Sequence, residues 1–373
     1  MTENQTPRKY YPFLDALRGI ALLWVIAHHS NYYFKMDTYN PKPFWQAMGT
    51  FFTAGFMGVD LFFVTSGFLI TGLLMDEFYH GKVNVTRFYK RRFFKIIPHY
   101  FLIVVIAFGL MAIYSPKFVM YPLEIFGCLT LTQNYLKDTV PLLDHTWSIA
   151  IEEHFYIIYP LILFYVGGLF KGKKGRHKSI LFVLFFLLIL GNISRIIFFK
   201  GADELDIYYY QKTHLRFDAL IFGCFLRFAE EWLVRLGKKK FSGVLFFIAA
   251  VLIYSFLVLK AQHTIWFHTT LMYLAAGFIL CAALCGFKPL LEVGENRFLK
   301  FIGKNCYGIY LWHYPLIFLI YQIFQSVRIY ESLPMVIPPS IVIIHLILSV
   351  ALGVLSTVTL EKYFLKLRQT WIP

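Results

Sequence analysis

The chain has 373 residues, of which 58% are hydrophobic, 20% aromatic and only 15% charged. Soluble domains carry about 25% charged residues, and a soluble chain this apolar would expose large hydrophobic patches. The composition therefore excludes an ordinary soluble domain and indicates a chain that folds in lipid.

Apolar stretches of about 20 residues, the length that crosses a bilayer, recur along the sequence and predict ten membrane-spanning helices. Their approximate limits are 12–34, 51–74, 94–114, 146–169, 179–199, 214–233, 242–260, 266–287, 305–325 and 336–361. The stretch 121–136 is apolar but short, and we interpret it as a surface or re-entrant segment. The expected fold is an all-α integral membrane protein, a bundle of about ten transmembrane helices that forms one domain over 1–373, without a fused soluble domain.

Basic residues alternate in density between successive connections. With the N-terminus in the cytoplasm, the cytoplasmic segments carry 24 of the 36 Lys and Arg residues and the opposite segments carry eight. This alternation predicts an even number of spans with both termini cytoplasmic. The net charge of +15 then reflects topology and attraction to anionic membrane lipid, so nucleic acid is not an expected partner. The five cysteines show no recurring CxxC spacing, which argues against a disulfide framework or a zinc site.

The first predicted helix carries Asp15, Arg18, His28 and His29 within its apolar sequence. A charge at membrane depth is expensive, so such residues usually face the bundle interior and mark a functional path. Eleven helical steps put His29 within roughly 20° of the Arg18 direction and about 16 Å further along the axis. The two residues therefore form one stripe that suits a long ligand. Asp15 can pair with Arg18 on one face of the helix. The alternatives are that this ion pair is purely structural and that His29 only packs in the core.

The second and fourth predicted helices carry further polar residues. Asp60 lies near the predicted outer end of helix 2, where it can orient an imidazole or meet water, while Ser66 and Gly67 favour helix packing. Glu152 and Glu153 are adjacent in helix 4 and point about 100° apart, so only one is expected to face a site. Such a carboxylate can act as an acid, a base or a histidine partner, the alternative being a hydrogen-bonded cluster at the outer rim.

Predicted helices 5 and 6 contain arginines. Arg216 and Asp218, at the start of helix 6, suit either a site or a salt bridge. For Arg195 and Arg227 we expect side chains that extend to the membrane surface.

Helix 9 contains His313, which suits either a cavity lining or an aromatic packing position near Pro315. His29, His154 and His313 form no pair with the spacing of metal ligands, so no metal is expected.

Four stretches resemble the motifs of one known family in order and across nearly the whole chain. They are 14–21 with the Arg18/His29 spacing, 58–70, 147–156 and 310–315. In combination they resemble the membrane acyltransferase-3 family. Its members are ten-helix bacterial inner-membrane proteins that pass an acyl group, commonly acetyl from cytoplasmic acetyl-CoA, to hydroxyls of extracytoplasmic glycans. The resemblance implies the same multi-pass location in the inner membrane.

The resemblance maps the paired arginine and histidine of the family onto Arg18 and His29, its helix-4 acid onto Glu152 or Glu153, and its later arginine onto Arg216. The family often has Gln where this chain has His154, which bears on the hydrogen bonding of helix 4. We also expect no esterase-like domain after helix 10, which implies a self-sufficient enzyme or a separate partner.

Together, the residues and the resemblance predict how the donor is bound. Arg18, with Asp15 beside it, contacts the CoA phosphates near the cytoplasmic mouth, because a guanidinium suits phosphate. The basic segment 82–95, which includes Arg91 and Arg92, assists. Acetyl-CoA or another acyl-CoA is thus the expected co-substrate.

The same reasoning predicts the chemistry. His29 acts as general base on a hydroxyl that arrives from outside, oriented by Asp60 or by a helix-4 glutamate. Arg216 stabilises the developing oxyanion. The identity of the glycan or cell-surface sugar, the acyl chain and a homo-oligomeric state are left open.

Two other functions remain as alternatives. A transporter of a lipid-linked sugar or another polar substrate would use the same buried charges, but transporters tend to show two matched halves, and this sequence shows none. A purely structural assembly protein accommodates intramembrane charges poorly.

Overall fold

The computed structural model describes residues 10–34, 43–114, 122–136, 140–198, 210–236, 239–260, 265–327 and 337–371. Across these ranges the chain is helical, with short 3-10 and π segments and no strand. The helices are α1 (Pro12–Phe34), α2 (Pro43–Thr53), α3 (Gly58–Tyr79), α4 (Val85–Tyr114), α5 (Pro122–Thr130), α6 (Trp147–Leu169), α7 (Gly172–Phe198), α8 (Thr213–Leu236), α9 (Lys239–Lys260), α10 (Ile265–Leu284), α11 (Lys288–Glu295), α12 (Arg297–Lys304), α13 (Cys306–Val327), α14 (Ile337–Ser356) and α15 (Lys362–Trp371). The predicted all-α class is confirmed.

Six helical stretches among the described residues are long and apolar enough to cross a membrane. They are Ala47–Tyr79, Val85–Tyr114, Pro141–Leu169, Gly172–Phe198, Phe267–Leu284 and Ser340–Thr370. α1, α8 and α13 fall outside this set because polar residues interrupt their apolar sequences. A multi-pass membrane protein is confirmed, whereas ten spans and the cytoplasmic placement of both termini stay predictions.

Each predicted helix has a counterpart, but several boundaries differ. The predicted helix 51–74 is divided, because α2 and the 3-10 turn Ala54–Met57 precede α3. α4 and α7 begin earlier than the predicted 94 and 179, since Lys and Arg are good helix formers and let a helix extend beyond its apolar part. The stretch 121–136 contains α5 and a 3-10 turn, with Phe126 exposed and Cys128 buried.

Glycines allow the closest helix crossings. A Cβ at Gly67 of α3 would overlap the carbonyl oxygen of Leu220 in α8, and a Cβ at Gly303 would overlap that of Asp15 in α1. The predicted packing role of Gly67 is thus confirmed. α1 is held among α3, α12, α13 and α14, so its polar side chains reach the interior of the bundle.

Candidate active site

Two histidines from different helices meet in the interior of the bundle. His29 lies on α1 and His313 on α13, and Nδ1 of His29 is 3.0 Å from Nε2 of His313. His313 is fully buried, while His29 is half-buried. The partner of His29 is therefore an imidazole. The prediction that Asp60 or a helix-4 glutamate orients this ring is wrong.

Hydrogen bonds assign the tautomers of this pair. Nδ1 of His313 lies at the backbone carbonyl oxygen of Tyr310, which can only accept, so Nδ1 carries the proton. Nε2 of His313 then accepts from Nδ1–H of His29, and Nε2 of His29 has a lone pair. Within the described part of the chain this Nε2 has no hydrogen-bond partner and is not sealed in the core.

A second connection links α1 to the backbone of His313. Nε2–H of His345, on α14, donates to the carbonyl oxygen of His313 over 2.7 Å. Nδ1 of His345 lies 2.7 Å from the hydroxyl of Ser30, which follows His29 in the chain. Ser30 and His345 are both fully buried. We call Ser30, His345, His313 and His29 the histidine circuit.

Aromatic rings enclose the circuit. His145 stacks on Tyr314 with ring centroids 4.9 Å apart and an interplanar angle of 13°, and it lies 5.0 Å from His313. Tyr314 also meets His29 edge to face at 4.9 Å. The ring of His28 lies 5.7 Å from that of Phe56 and 5.1 Å from that of His29, and His28 is not one of the four residues that define the circuit.

Arg18 lies in a small cavity with a carboxylate. The cavity has a volume of about 50 Å³ and is lined by Arg18, Phe62, Glu152, Ser148 and Tyr310, among others. Ser148 and Tyr310 share a 2.7 Å hydrogen bond, and Tyr310 is also the residue whose carbonyl binds His313. The Arg18 cavity and the histidine circuit therefore share Tyr310. The room suffices for a few water molecules.

Arg18 lies beside Phe62 of α3, and its predicted contact with CoA phosphates at the cytoplasmic mouth stays a prediction. Its guanidinium lies 6.0 Å from the ring centroid of Phe62. Phe62 is about 6 Å from the start of α3 and about 26 Å from its end at Tyr79, at 1.5 Å per residue. Measured along α3, Arg18 therefore lies closer to the start of that helix than to its end at Tyr79.

The neighbours of Arg18 also differ from prediction. Asp15 accepts a 2.7 Å hydrogen bond from Tyr10, and among the described residues it forms no ion pair with Arg18. Burial and the Asp15 carboxylate raise the pKa of Tyr10 to about 12, so its hydroxyl stays a donor at neutral pH. Glu152 lines the Arg18 cavity, where it accepts a 2.7 Å hydrogen bond from Ser66.

The two predicted glutamates are separated by the helix, as their 100° spacing requires. Glu152 lines the cavity, whereas Glu153 is buried but does not line it. The guanidinium of Arg92 lies 4.6 Å from the ring centroid of Tyr156, one turn beyond Glu152, and Arg91 is its neighbour on α4. Lys95 is close enough to Arg18 for their charges to interact. Basic groups of α4 thus lead toward Arg18.

Arg216 forms a buried ion pair with Asp60. Nη2 of Arg216 donates to both carboxylate oxygens at 3.0 Å, and both side chains are 1% exposed. The guanidinium lies 4.2 Å from the ring centroid of Tyr210. Asp60 therefore neither meets water nor orients His29, and Arg216 does not pair with Asp218.

Arg195 pairs with Asp218 instead. The two groups are 2.5 Å apart and each is 1% exposed, so the prediction that Arg195 extends to the membrane surface is wrong. Arg227 pairs with Glu230 and donates to the hydroxyl of Tyr11, which also differs from that prediction. These pairs form because α3, α7 and α8 place opposite charges at equal depth.

His154 lies apart from the other histidines. Its Nδ1 is 2.7 Å from the hydroxyl of Thr213, so His29, His154 and His313 do not converge. Sequence reasoning missed His145, Ser30 and His345. The signal for His345 was available, because it is the one ionisable residue of an otherwise apolar α14.

A family model described as an acyltransferase domain, of the acyltransferase-3 type, matches residues 11–358. The chain is 28% identical to O-acetyltransferase OatA of Staphylococcus aureus (strain NCTC 8325 / PS 47) over 342 residues, which cover 84% of this chain and 52% of that protein. It is 28% identical to peptidoglycan O-acetyltransferase OatA of Listeria monocytogenes over 340 residues, which cover 83% and 50%. The chain thus spans about half the length of the curated relatives it matches. No solved structure matches it.

Proposed function

The chain belongs to the acyltransferase-3 family, and we propose that it is a membrane O-acetyltransferase that moves an acetyl group from acetyl-CoA to a hydroxyl of a cell-wall glycan. The observation that carries the proposal is an accessible imidazole nitrogen, His29 Nε2. Its ring is held by His313, which is bonded in turn to Tyr310, a residue that lines the Arg18 cavity. The names of both OatA relatives support acetyl as the group, and the name of the Listeria monocytogenes relative supports peptidoglycan as the acceptor class.

Arg18 is the proposed donor-binding residue. A phosphate at Arg18 and a thioester at His29 would be about 16 Å apart along α1, a span that a long flexible arm can bridge. Arg91, Arg92 and Lys95 would attract the nucleotide end, since basic groups raise the local concentration of an anionic ligand. Glu152 would balance the charge of Arg18 when no donor is bound, and Asp15 would hold the start of α1.

His29 is the proposed general base. Its Nε2 takes the proton of the acceptor hydroxyl while the oxygen attacks the thioester carbonyl. The C–O bond forms, the C–S bond breaks, and the proton passes from His29 to the CoA sulfur. Arg216 is the proposed oxyanion-stabilising group, with Asp60 fixing its guanidinium. Transfer from a cytoplasmic donor to an acceptor outside the bacterial inner membrane is part of the proposal.

The test uses the purified full-length chain in lipid nanodiscs with [acetyl-¹⁴C]-CoA and soluble peptidoglycan fragments. Label that appears on the glycan, confirmed by a mass increase of one acetyl group, would support the proposal. Folded protein that neither releases CoA thiol nor labels any glycan would contradict it. Mass spectrometry of surface glycans from a deletion strain identifies the acceptor, because the missing acetyl mass marks the substrate.

A further inference from the structure

Within the histidine circuit, His313 contacts the ring of His29 directly. We infer that His313 is a positioning residue that fixes the tautomer of His29, so that the lone pair of His29 Nε2 is always available to the acceptor hydroxyl. This inference rests on the proposed function for its catalytic meaning. Its structural content is the proton position on His29, which does not depend on the identity of the acceptor or the donor.

The proton positions in the circuit are set from the main chain. A carbonyl oxygen accepts and never donates, so the Tyr310 oxygen requires a proton on Nδ1 of His313. Neutral imidazole has one proton, which leaves Nε2 of His313 as an acceptor. The 3.0 Å contact then requires Nδ1–H on His29. Each proton position is set by the one before it, and the first is set by a group that cannot change.

The position of His313 in α13 makes this bond available. Pro315 lacks an N–H and disturbs the helix at the carbonyl of Leu311, one turn before it. The ring of His145 lies close to that carbonyl. His313 turns back to Tyr310 two residues before this proline.

The remaining members of the circuit hold His313 in place. His345 donates to the carbonyl of His313, and Ser30 contacts His345, so residues 29 and 30 of α1 both lead to residue 313. One connection joins the rings of His29 and His313, and the other joins Ser30 through α14 to the backbone of His313, so α1 and α13 are linked twice at this level. This arrangement resembles in logic the carboxylate that holds a catalytic histidine in a hydrolase triad, with an imidazole in place of the carboxylate.

The circuit orients His29 but does not carry the abstracted proton away. When Nε2 of His29 gains a proton, Nδ1–H can share its positive charge with His313, but the Tyr310 carbonyl cannot take a proton onward. The proton therefore stays on His29 until the CoA sulfur accepts it. His313 acts through His29 and touches neither reactant.

A matched pair of substitutions separates the two bonds of His313. In His313→Asn the short amide still reaches the Tyr310 carbonyl but offers nothing to His29. In His313→Gln the longer amide oxygen reaches about the place of Nε2 and can accept from His29. We expect kcat to fall roughly 100-fold or more in the Asn variant, because a wrong tautomer of a catalytic histidine is severe in triad enzymes.

The Gln variant should stay within about tenfold of the wild type, and KM for acetyl-CoA should change less than about twofold in both, because the lost bond acts on the base and not on donor binding. His154→Gln is the control, since His154 contacts Thr213 away from the circuit. Equal activity of the Asn and Gln variants, whether high or low, would overturn the inference.

A spectroscopic arm tests the proton position without any reaction. ¹⁵N NMR of histidine-labelled protein distinguishes Nδ1–H from Nε2–H, and a His29→Asn sample assigns the His29 signal by its loss. We expect Nδ1–H on His29 in the wild type and in His313→Gln, and a mixture in His313→Asn. Nε2–H on wild-type His29 would refute the inference. A wild type without acetyl transfer but with Nδ1–H would instead refute the proposed function alone.

Discussion

The histidine circuit and the two buried arginine pairs are both polar groups enclosed by an apolar bundle, yet they differ in charge and in how their polar atoms are paired. Arg216 with Asp60 and Arg195 with Asp218 balance one positive charge against one negative charge. The circuit is uncharged and ends at His29 Nε2, which has no partner among the described residues. The charge of each arginine is thus balanced by its partner, whereas Nε2 of His29 keeps a lone pair that can accept a proton.

The largest expected effect comes from substitution of His29, whose Nε2 has no partner among the described residues. His29→Ala should lower acetyl transfer by roughly 10⁴-fold, the upper range for loss of a general base, while the protein level in membranes stays the same. His28→Leu is the matched control, because His28 packs on Phe56 and lies outside the circuit. Radiolabel transfer per folded molecule measures both. Activity retained in His29→Ala would remove the base assignment.

The pair of Arg195 and Asp218 should respond in stability instead. Arg195→Met leaves Asp218 buried without its partner, which typically destabilises a protein by about 3 kcal/mol or more. Replacing both residues, as Arg195→Met with Asp218→Leu, removes both charges and should recover much of that loss. Thermal unfolding in nanodiscs provides the measurement. A single variant as stable as the double one would show that the pair is not what holds α7 to α8.

The Arg18 cavity should respond in donor affinity. Arg18→Ala should raise KM for acetyl-CoA by about 30-fold, equivalent to about 2 kcal/mol for a lost charge-assisted contact, with a smaller effect on kcat. Glu152→Gln should alter the same constant, whereas Glu153→Gln should not, because only Glu152 lines the cavity. Titration of the donor at fixed acceptor distinguishes these cases. Equal effects of the two glutamates would contradict the assignment.

The smallest effect is expected at Ser66. Its hydroxyl donates to Glu152 over 2.7 Å, and Ser66→Ala removes that bond at a cost of about 1 kcal/mol. The change should appear as a KM for acetyl-CoA about fivefold higher, since the carboxylate beside Arg18 is less well held. Ser66→Thr keeps the hydroxyl and serves as the control. An unchanged KM in Ser66→Ala would mean that Ser66 only packs.

Sequence reasoning reached the helices because the length of an apolar stretch is a local property of the sequence. It also placed Arg18 and His29 on one face of α1, since that geometry needs only the helical repeat. It failed where two helices meet. The pairing of Asp60 with Arg216 joins residues 156 positions apart, and the contact between His29 and His313 joins residues 284 apart. Such pairs depend on helix depth and rotation, which no single apolar stretch encodes.

Arg195 illustrates the same limit. An arginine near a helix end resembles a surface anchor, and only the neighbouring Asp218 shows that it is interior. The unusual residue of α14, His345, shows the opposite case. One imidazole in a run of aliphatic side chains signals a partner even when the sequence cannot say which one.

The small volume of the Arg18 cavity, about 50 Å³, has a consequence for the energetics of the cell. A pore wide enough for a thioester arm would, if permanently open, let protons and ions run down their gradients. A cavity of this size holds only a few water molecules and offers no such pore beside Arg18. Under the proposed function, the donor arm would have to displace side chains as it enters, and it would then fill the opening that it makes.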